Sequence, residues 1–300
     1  MKAPHKTKID MCGLIGFTSN GEKANPVILR KLMKANDSRG GHSTGYYDGN
    51  NMNKVIGKSD TLPMPKRSEI FIGHTRYATH GEKTIANQHP FQYGSVIGAH
   101  NGVVHNYREV GEKYQLKKTE VDSQMIFKVL NKSQRLDTLG KFSGALATLF
   151  TMGDGKLYTY RKTNPLWVGR DDRGGVYFSS LRDVMIECKL NNIFQLKEGR
   201  IYVWEGANVI AKYDIEHDPI ASKYSKVKKQ WWEYGLSNQR KSYWTPQKSP
   251  YSGITDKYDK LDDIDITDYD LSNHQDQLDM FDNRCDCQDA DGSDFCFCIS

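Results

Sequence analysis

The sequence predicts a mixed α/β or α+β domain folded as a layered sandwich of helices and sheets, and three observations predict it. Between Cys12 and about Tyr213, short apolar runs rich in β-branched and aromatic residues alternate with amphipathic stretches. Several of those runs are apolar at nearly every position, as strands covered on both faces are; a sheet with one wet face would alternate instead. Beyond Tyr213 the pattern decays, so the 300 residues divide into one domain and an appendage.

The predicted strands, in order, are Gly13 to Phe17, Ile70 to His74, Val96 to His100, Ala145 to Thr151, Lys156 to Tyr160, Leu166 to Gly169, Val176 to Ser179 and Arg200 to Trp204. Pro26 to Ala35 reads as a helix with proline in its first turn, where the missing N–H costs nothing. Val121 to Leu130 reads as a second helix. Val121, Met125, Ile126 and Val129 share its apolar face, and Asp122 sits in the first turn, where a carboxylate meets the positive end of the helix dipole. A third helix begins at Asn106-Tyr107. There is no internal repeat.

Residues 214–250 are basic and aromatic, with Trp231, Trp232 and Trp244, and lack periodicity. Residues 251–300 hold 14 Asp and no Glu against two Lys and one Arg, a balance of −11. The whole chain carries +5, so residues 1–250 carry +16. So polar a tail buries too little apolar surface to offset its ordering entropy, and a largely disordered low-complexity C-terminal tail is expected. Solubility explains the basic excess better than a nucleic-acid surface, because no Lys/Arg run is interleaved with stacking aromatics. No apolar run reaches the roughly 18 residues of a membrane span, and MKAPHKTKIDM leads into no signal-peptide core. Six cysteines, four of them near the C-terminus, do not form a secreted disulfide framework, so a cytoplasmic location is expected.

Taken alone, Cys12 is a small hydrophobe at the head of a buried strand. Its company downstream suggests chemistry. Gly73-His74-Thr75-Arg76-Tyr77-Ala78-Thr79-His80-Gly81 follows a strand and sets an Arg and a His among small residues, in a turn where backbone can approach a ligand. His100-Asn101-Gly102 follows another strand. An Asn beside a Gly at a strand end can aim a side-chain amide and a bare backbone N–H in one direction, as stabilising an oxyanion requires.

With these residues in view, the chain resembles the class II, or N-terminal-nucleophile (Ntn), glutamine amidotransferases. It presents Cys12-Gly13-Leu14-Ile15-Gly16, then Arg39-Gly40-Gly41-His42-Ser43-Thr44-Gly45, the run from Gly73 to Gly81, His100 to Tyr107, and Val121-Asp122-Ser123-Gln124, in the family's order. Asn164 to Gly169 and Leu196 to Arg200 also look like the family's distal strands. The resemblance implies an α+β fold, the Ntn-hydrolase-like four-layer αββα sandwich, over residues 12–213.

It also implies roles. Cys12 is the nucleophile and its own α-amino group the general base; an amine of pKa about 8 and a thiol of about 8.5 both lie near working pH. Asn101 and the N–H of Gly102 hold the oxyanion, worth roughly 3 to 4 kcal/mol per donor. Arg76 clamps the α-carboxylate of L-glutamine and Asp122 accepts its α-ammonium. Tyr77, Thr79 and His80 line the substrate pocket, and Arg39 supports the nucleophile loop. No cofactor is implied. His42 stands where the family carries Asp, Tyr77 where it carries Trp, and Val121 and Gln124 where it carries Ser and Glu.

Because the base is an α-amine, residues 1–11 are expected to be a leader, removed autocatalytically or bypassed by initiation at Met11 with loss of the Met. The 85 or so residues after the resemblance are too few and too polar for the family's ammonia-using domains, so the acceptor is expected on another protein. Two alternatives stay open: a different Ntn amide hydrolase, and a non-catalytic module on the same fold. Cys285, Cys287, Cys296 and Cys298 form two Cys-x-Cys pairs that could hold zinc, although their spacing departs from the common x2 to x4 pattern.

Overall fold

The computed structural model describes residues 12–66, 68–78 and 81–216. The expectations for residues 1–11, for the tail beyond 216 and its four cysteines, and for Thr79 and His80 lie outside the described residues.

The chain runs β1 (Gly13–Thr18), α1 (Pro26–Asn36), β2 (Ser43–Tyr47), β3 (Met52–Ile56), β4 (Ile70–Arg76), β5 (Phe91–Tyr93), β6 (Val96–Val104), α2 (Tyr107–Lys113), α3 (Asp122–Ser133), β7 (Gly144–Thr151), β8 (Leu157–Lys162), β9 (Trp167–Arg170), β10 (Val176–Ser179), α4 (Arg182–Glu187), β11 (Asn191–Gln195), β12 (Arg200–Glu205) and β13 (Asn208–Asp214). The strands form two antiparallel sheets, in the orders β11-β9-β10-β1-β4-β2-β3 and β13-β12-β8-β7-β6-β5. Between the sheets Leu14, Ile72, Ala99, Ala147, Leu149, Val168, Phe178 and Trp204 form a dry layer. Outside the first sheet, Leu29, Leu32 and Met33 of α1 and Met185 of α4 cover Ile15, Phe17 and Phe71. Outside the second, Met125, Ile126, Val129 and Leu130 of α3 pack with Phe150, Tyr160 and Ile201. The result is the four-layer αββα sandwich of the Ntn-hydrolase type. Each central strand is buried on both faces, which is why β1 and β10 read as continuous apolar runs.

The helix ends follow local rules. In α1, the Asn25 side chain accepts from the Val27 N–H at 2.9 Å, and Pro26 takes the first position. In α3, the Gln124 side chain accepts from the Val121 N–H at 3.4 Å, the return half of a capping box. Valine has no oxygen to supply the other half, so the first turn depends on Asp122 for its negative end. Gln134, in the left-handed region at φ 54°, closes the helix by donating to the Leu130 carbonyl at 2.9 Å.

Two expectations need correction. Arg76 lies on a strand, not in a turn, because β4 pairs as far as Ser43↔Arg76. Likewise Asn101 and Gly102 lie inside β6, which continues to Val104 because β7 matches it residue for residue, Asn101↔Ala147 and Gly102↔Leu146. Three helices and eight strands were legible as such, and α4 went unread. β2, β3, β5, β11 and β13 went unread, and four of these five are the sheet edges.

Candidate active site

Cys12 immediately precedes β1, at the centre of the first sheet. Its backbone is held close to the end of α1: a Cβ on Gly13 would come within 2.5 Å of Asn36 Oδ1 and 2.7 Å of Thr75 Oγ1. Only glycine permits that approach, which accounts physically for the Cys-Gly pair. The thiol is bracketed by the two peptide groups that flank one residue, Tyr77. The Tyr77 N–H donates to Sγ at 3.3 Å and Sγ lies 3.5 Å from the Tyr77 carbonyl. Arg39 donates from Nε to the Cys12 carbonyl at 3.0 Å and so holds the main chain of Cys12. Burial pushes the Cys12 thiol up to about 11, with Asp122 adding to the rise; the Tyr77 N–H, Arg76 and Arg39 only partly oppose it.

The substitutions at 42 and 77 meet in space. The His42 ring stacks on Tyr77, with centroids 4.7 Å apart and planes at 28°, and its Nδ1 accepts from the Ala78 N–H at 3.0 Å. His42 therefore fixes the 77–78 peptide, whose carbonyl lies against the thiol.

Opposite Cys12 lie Arg76, His89, His100, Gly102, Asp122 and Ser123, lining one narrow cleft. Arg76 is 2 % exposed at the end of β4 and donates from Nη1 to the Glu82 carbonyl at 3.0 Å. The segment carrying Glu82 is pinned in turn by Glu120, whose carboxylate accepts from the Glu82 N–H at 2.8 Å. Asp122 is 3 % exposed; its Oδ2 accepts from the Val104 N–H at 2.6 Å, tying the start of α3 to the end of β6. Gly102 adopts φ +144°, and a Cβ there would overlap the Ala145 carbonyl oxygen, so the residue must be glycine.

Asn101 stands behind this lining. Its Nδ2 donates to Ser180 Oγ at 3.3 Å, and its carbonyl accepts from Asn164 Nδ2 at 2.9 Å. Ser180 Oγ also accepts from the Leu14 N–H at 3.0 Å, so one hydroxyl joins the strand after Cys12 to Asn101. An amide nitrogen has two hydrogens, and the second remains for another acceptor.

Sequence reasoning missed Ser180, Ser123 and the histidine cluster. Ser180 carries no local signal: it follows β10 and matters only because β10 pairs with β1. His100 was within a motif, yet its ring works structurally, with Nδ1 2.7 Å from Ser123 Oγ and Nε2 3.3 Å from the Ala145 carbonyl. His74 and His89 stack at 4.1 Å behind it. Burial lowers the pKa of all three, taking His74 to about 3, and His89 Nδ1 and Nε2 have no hydrogen-bond partner among the described residues. The cluster is neutral at working pH. Among the described residues no group of three or more His, Cys, Asp or Glu is disposed to hold a metal ion, and no helix is long and apolar enough to cross a membrane.

Comparison with known proteins points one way. The family model described as "Glutamine amidotransferase domain" matches residues 74–187. The glutamine–fructose-6-phosphate aminotransferase (isomerizing) of Methanosarcina mazei is 32 % identical over 193 residues, covering 53 % of this chain and 31 % of the relative. The enzyme of the same name from Sulfolobus acidocaldarius is 27 % identical over 238 residues, covering 70 % and 40 %. The chain thus spans about a third of the length of the curated relatives it matches. Among solved structures, the glutamine phosphoribosylpyrophosphate amidotransferase from B. subtilis, complexed with ADP and GMP, superposes with a TM-score of 0.55 at 18 % identity, over 69 % of this chain and 50 % of that one, a likeness of fold. With the ordered motifs and the four-layer sandwich, these matches support the class II glutamine amidotransferase family for this chain.

Proposed function

We propose that this chain hydrolyses the side-chain amide of L-glutamine through Cys12 and delivers the ammonia to an acceptor on another protein. The observation that carries the reading is the convergence of Cys12, Arg76, Gly102 and Asp122, from four separated segments, on one cleft. That set combines a nucleophile with a cation and an anion suited to the two ends of a free amino acid.

In this reading the α-amine of Cys12, once the residues before it are removed, takes the thiol proton. Sγ attacks the amide carbon, and the oxyanion is held by the Gly102 N–H and the free hydrogen of the Asn101 amide. Collapse breaks the C–N bond, the α-ammonium returns its proton to the leaving nitrogen, and ammonia departs. Water then hydrolyses the thioester to glutamate. Arg76 offers its fork to the α-carboxylate, and the Asp122 oxygen not engaged by Val104 meets the α-ammonium. A thiol held near 11 is almost wholly protonated at neutral pH. This is why a base at the sulfur is required, and it supports a chain that begins at Cys12 when active.

The relatives' printed names include an isomerising aminotransferase activity on fructose 6-phosphate. The present chain corresponds to about a third of such a protein. The test is glutamate release from free glutamine by protein produced to begin at Cys12, beside the same protein with Cys12→Ala. Turnover abolished by Cys12→Ala is the expected result. Equal turnover in both would overturn the reading, as would full activity in a sample whose intact mass retains residues 1–11.

A further inference from the structure

Away from the cleft, the helical layer over the second sheet carries a groove of about 410 Å³ lined by Tyr93, Leu116, Lys117, Lys128, Asn131 and Lys132. Its floor is apolar and its rim carries three ammonium groups with no carboxylate. The Lys128 Nζ sits 5.3 Å above the centre of the Tyr93 ring and donates to the Lys117 carbonyl at 3.5 Å. Among the described residues, none of the three lysines forms an ion pair. Partial burial, followed by repulsion from Lys117, lowers the pKa of Lys128. The groove is therefore a cationic, partly dry surface without its anion.

The same chain contains a segment with the complementary pattern. In Leu261-Asp262-Asp263-Ile264-Asp265-Ile266-Thr267-Asp268-Tyr269-Asp270-Leu271, carboxylates alternate with large apolar side chains. Five carboxylates, Asp262, Asp263, Asp265, Asp268 and Asp270, lie among five large apolar side chains, Leu261, Ile264, Ile266, Tyr269 and Leu271. The chain also leaves the described domain at the right layer. Ile215 is buried in the cluster that contains Met125 and Leu130 of α3, and the Glu216 carbonyl lies against Gly140 in the 3₁₀ turn Leu136–Lys141 that follows α3. A chain of the 45 residues from Glu216 to Leu261, taken as a random coil, would have a root-mean-square reach on the order of 35–40 Å. The twelve residues of α3 span only about 18 Å.

We propose that residues 261–271 dock into this groove of their own chain, seating Leu, Ile and Tyr side chains on Tyr93 and Leu116 and pairing Asp carboxylates with Lys117, Lys128 and Lys132. Exposed ion pairs are individually weak, but the tether supplies an effective concentration near the millimolar range, so a few suffice.

Carbodiimide coupling of the full-length protein at low salt, followed by peptide mass mapping, tests this. Asp262 to Asp270 should join to Lys117, Lys128 or Lys132 about tenfold more often than to exposed Lys31, which lies on α1 in the opposite helical layer. The yield should be unchanged on dilution and should fall at about 1 M salt, where the Debye length is roughly 3 Å. A full-length variant with Asp262→Asn, Asp263→Asn, Asp265→Asn and Asp268→Asn alters no described residue. It should show faster amide hydrogen exchange across residues 113–133. Three outcomes would each overturn the proposal: equal coupling to Lys31, coupling that joins only different copies of the chain, or exchange in 113–133 identical in variant and parent.

Discussion

The state of the Cys12 thiol offers the most direct test of the site. Burial raises it from an ordinary 9.0 to about 11, and the three groups that oppose burial, the Tyr77 N–H, Arg76 and Arg39, do not restore it. Two units reduce the thiolate population about a hundredfold at any pH below 9, or roughly 2.7 kcal/mol against the anion. The perturbation is pH itself, and the assay is alkylation of Cys12 by iodoacetamide in the full-length chain, read by peptide mass spectrometry. Burial also slows reagent access, so the pH at which the rate levels off is the useful quantity, not the rate. The rate should climb about tenfold per pH unit past 9 and approach a plateau only near 11. In protein beginning at Cys12, glutamine turnover should instead level off near the α-amine pKa of about 8. A plateau at or below pH 8.5 in the full-length chain would mean that the thiol is activated without its own amine. That would refute the argument that a free N-terminus is required.

Three further outcomes follow from the geometry. Gly102→Ala should cost at least about 3 kcal/mol by urea denaturation, since the positive φ and the Ala145 carbonyl both exclude a Cβ; a loss under about 1 kcal/mol would show that β6 adjusts freely there. His42→Ala removes the acceptor for the Ala78 N–H and the ring stacked on Tyr77. It should lower glutamine turnover about tenfold or more while His42→Asp with Tyr77→Trp recovers most of it, and equal loss in both would separate this pair from the thiol. The unfolded chain takes up histidine protons near pH 6.5, but His74 resists until about 3, and His89 also lies far below its ordinary value. The unfolded state therefore binds more protons in that window, and stability should fall as pH drops below 6.5, by up to about 1.4 kcal/mol per pH unit for each histidine. His89→Phe should flatten that slope by about one proton, whereas an unchanged slope would place the acid sensitivity elsewhere.

The sequence by itself determined the double-covered central strands, the α1 and α3 helices and the family. Each depends on local information: continuous apolar runs, a proline at a first turn, an acidic residue opening an apolar face, and motifs whose order survives in the linear chain. It did not disclose β3, β5, β11 and β13, because an edge strand is half exposed and mixed in composition and becomes a strand by pairing with a neighbour distant in sequence. For the same reason it ended β6 too early, at the residues whose continuation is set by β7. At the site, Cys12, Arg76, Gly102 and Asp122 were legible as residues, but their convergence required both sheets. Ser180, 168 positions after Cys12, reaches Asn101 only because β10 lies beside β1. The pairing of His42 with Tyr77 was equally hidden. Each looked like an isolated departure from the family pattern until the tertiary structure brought the two rings to 4.7 Å. Short-range steric and polar preferences are written into neighbouring residues, whereas contacts across sheets depend on the packing of the whole domain, and that packing decided which polar groups meet at the thiol.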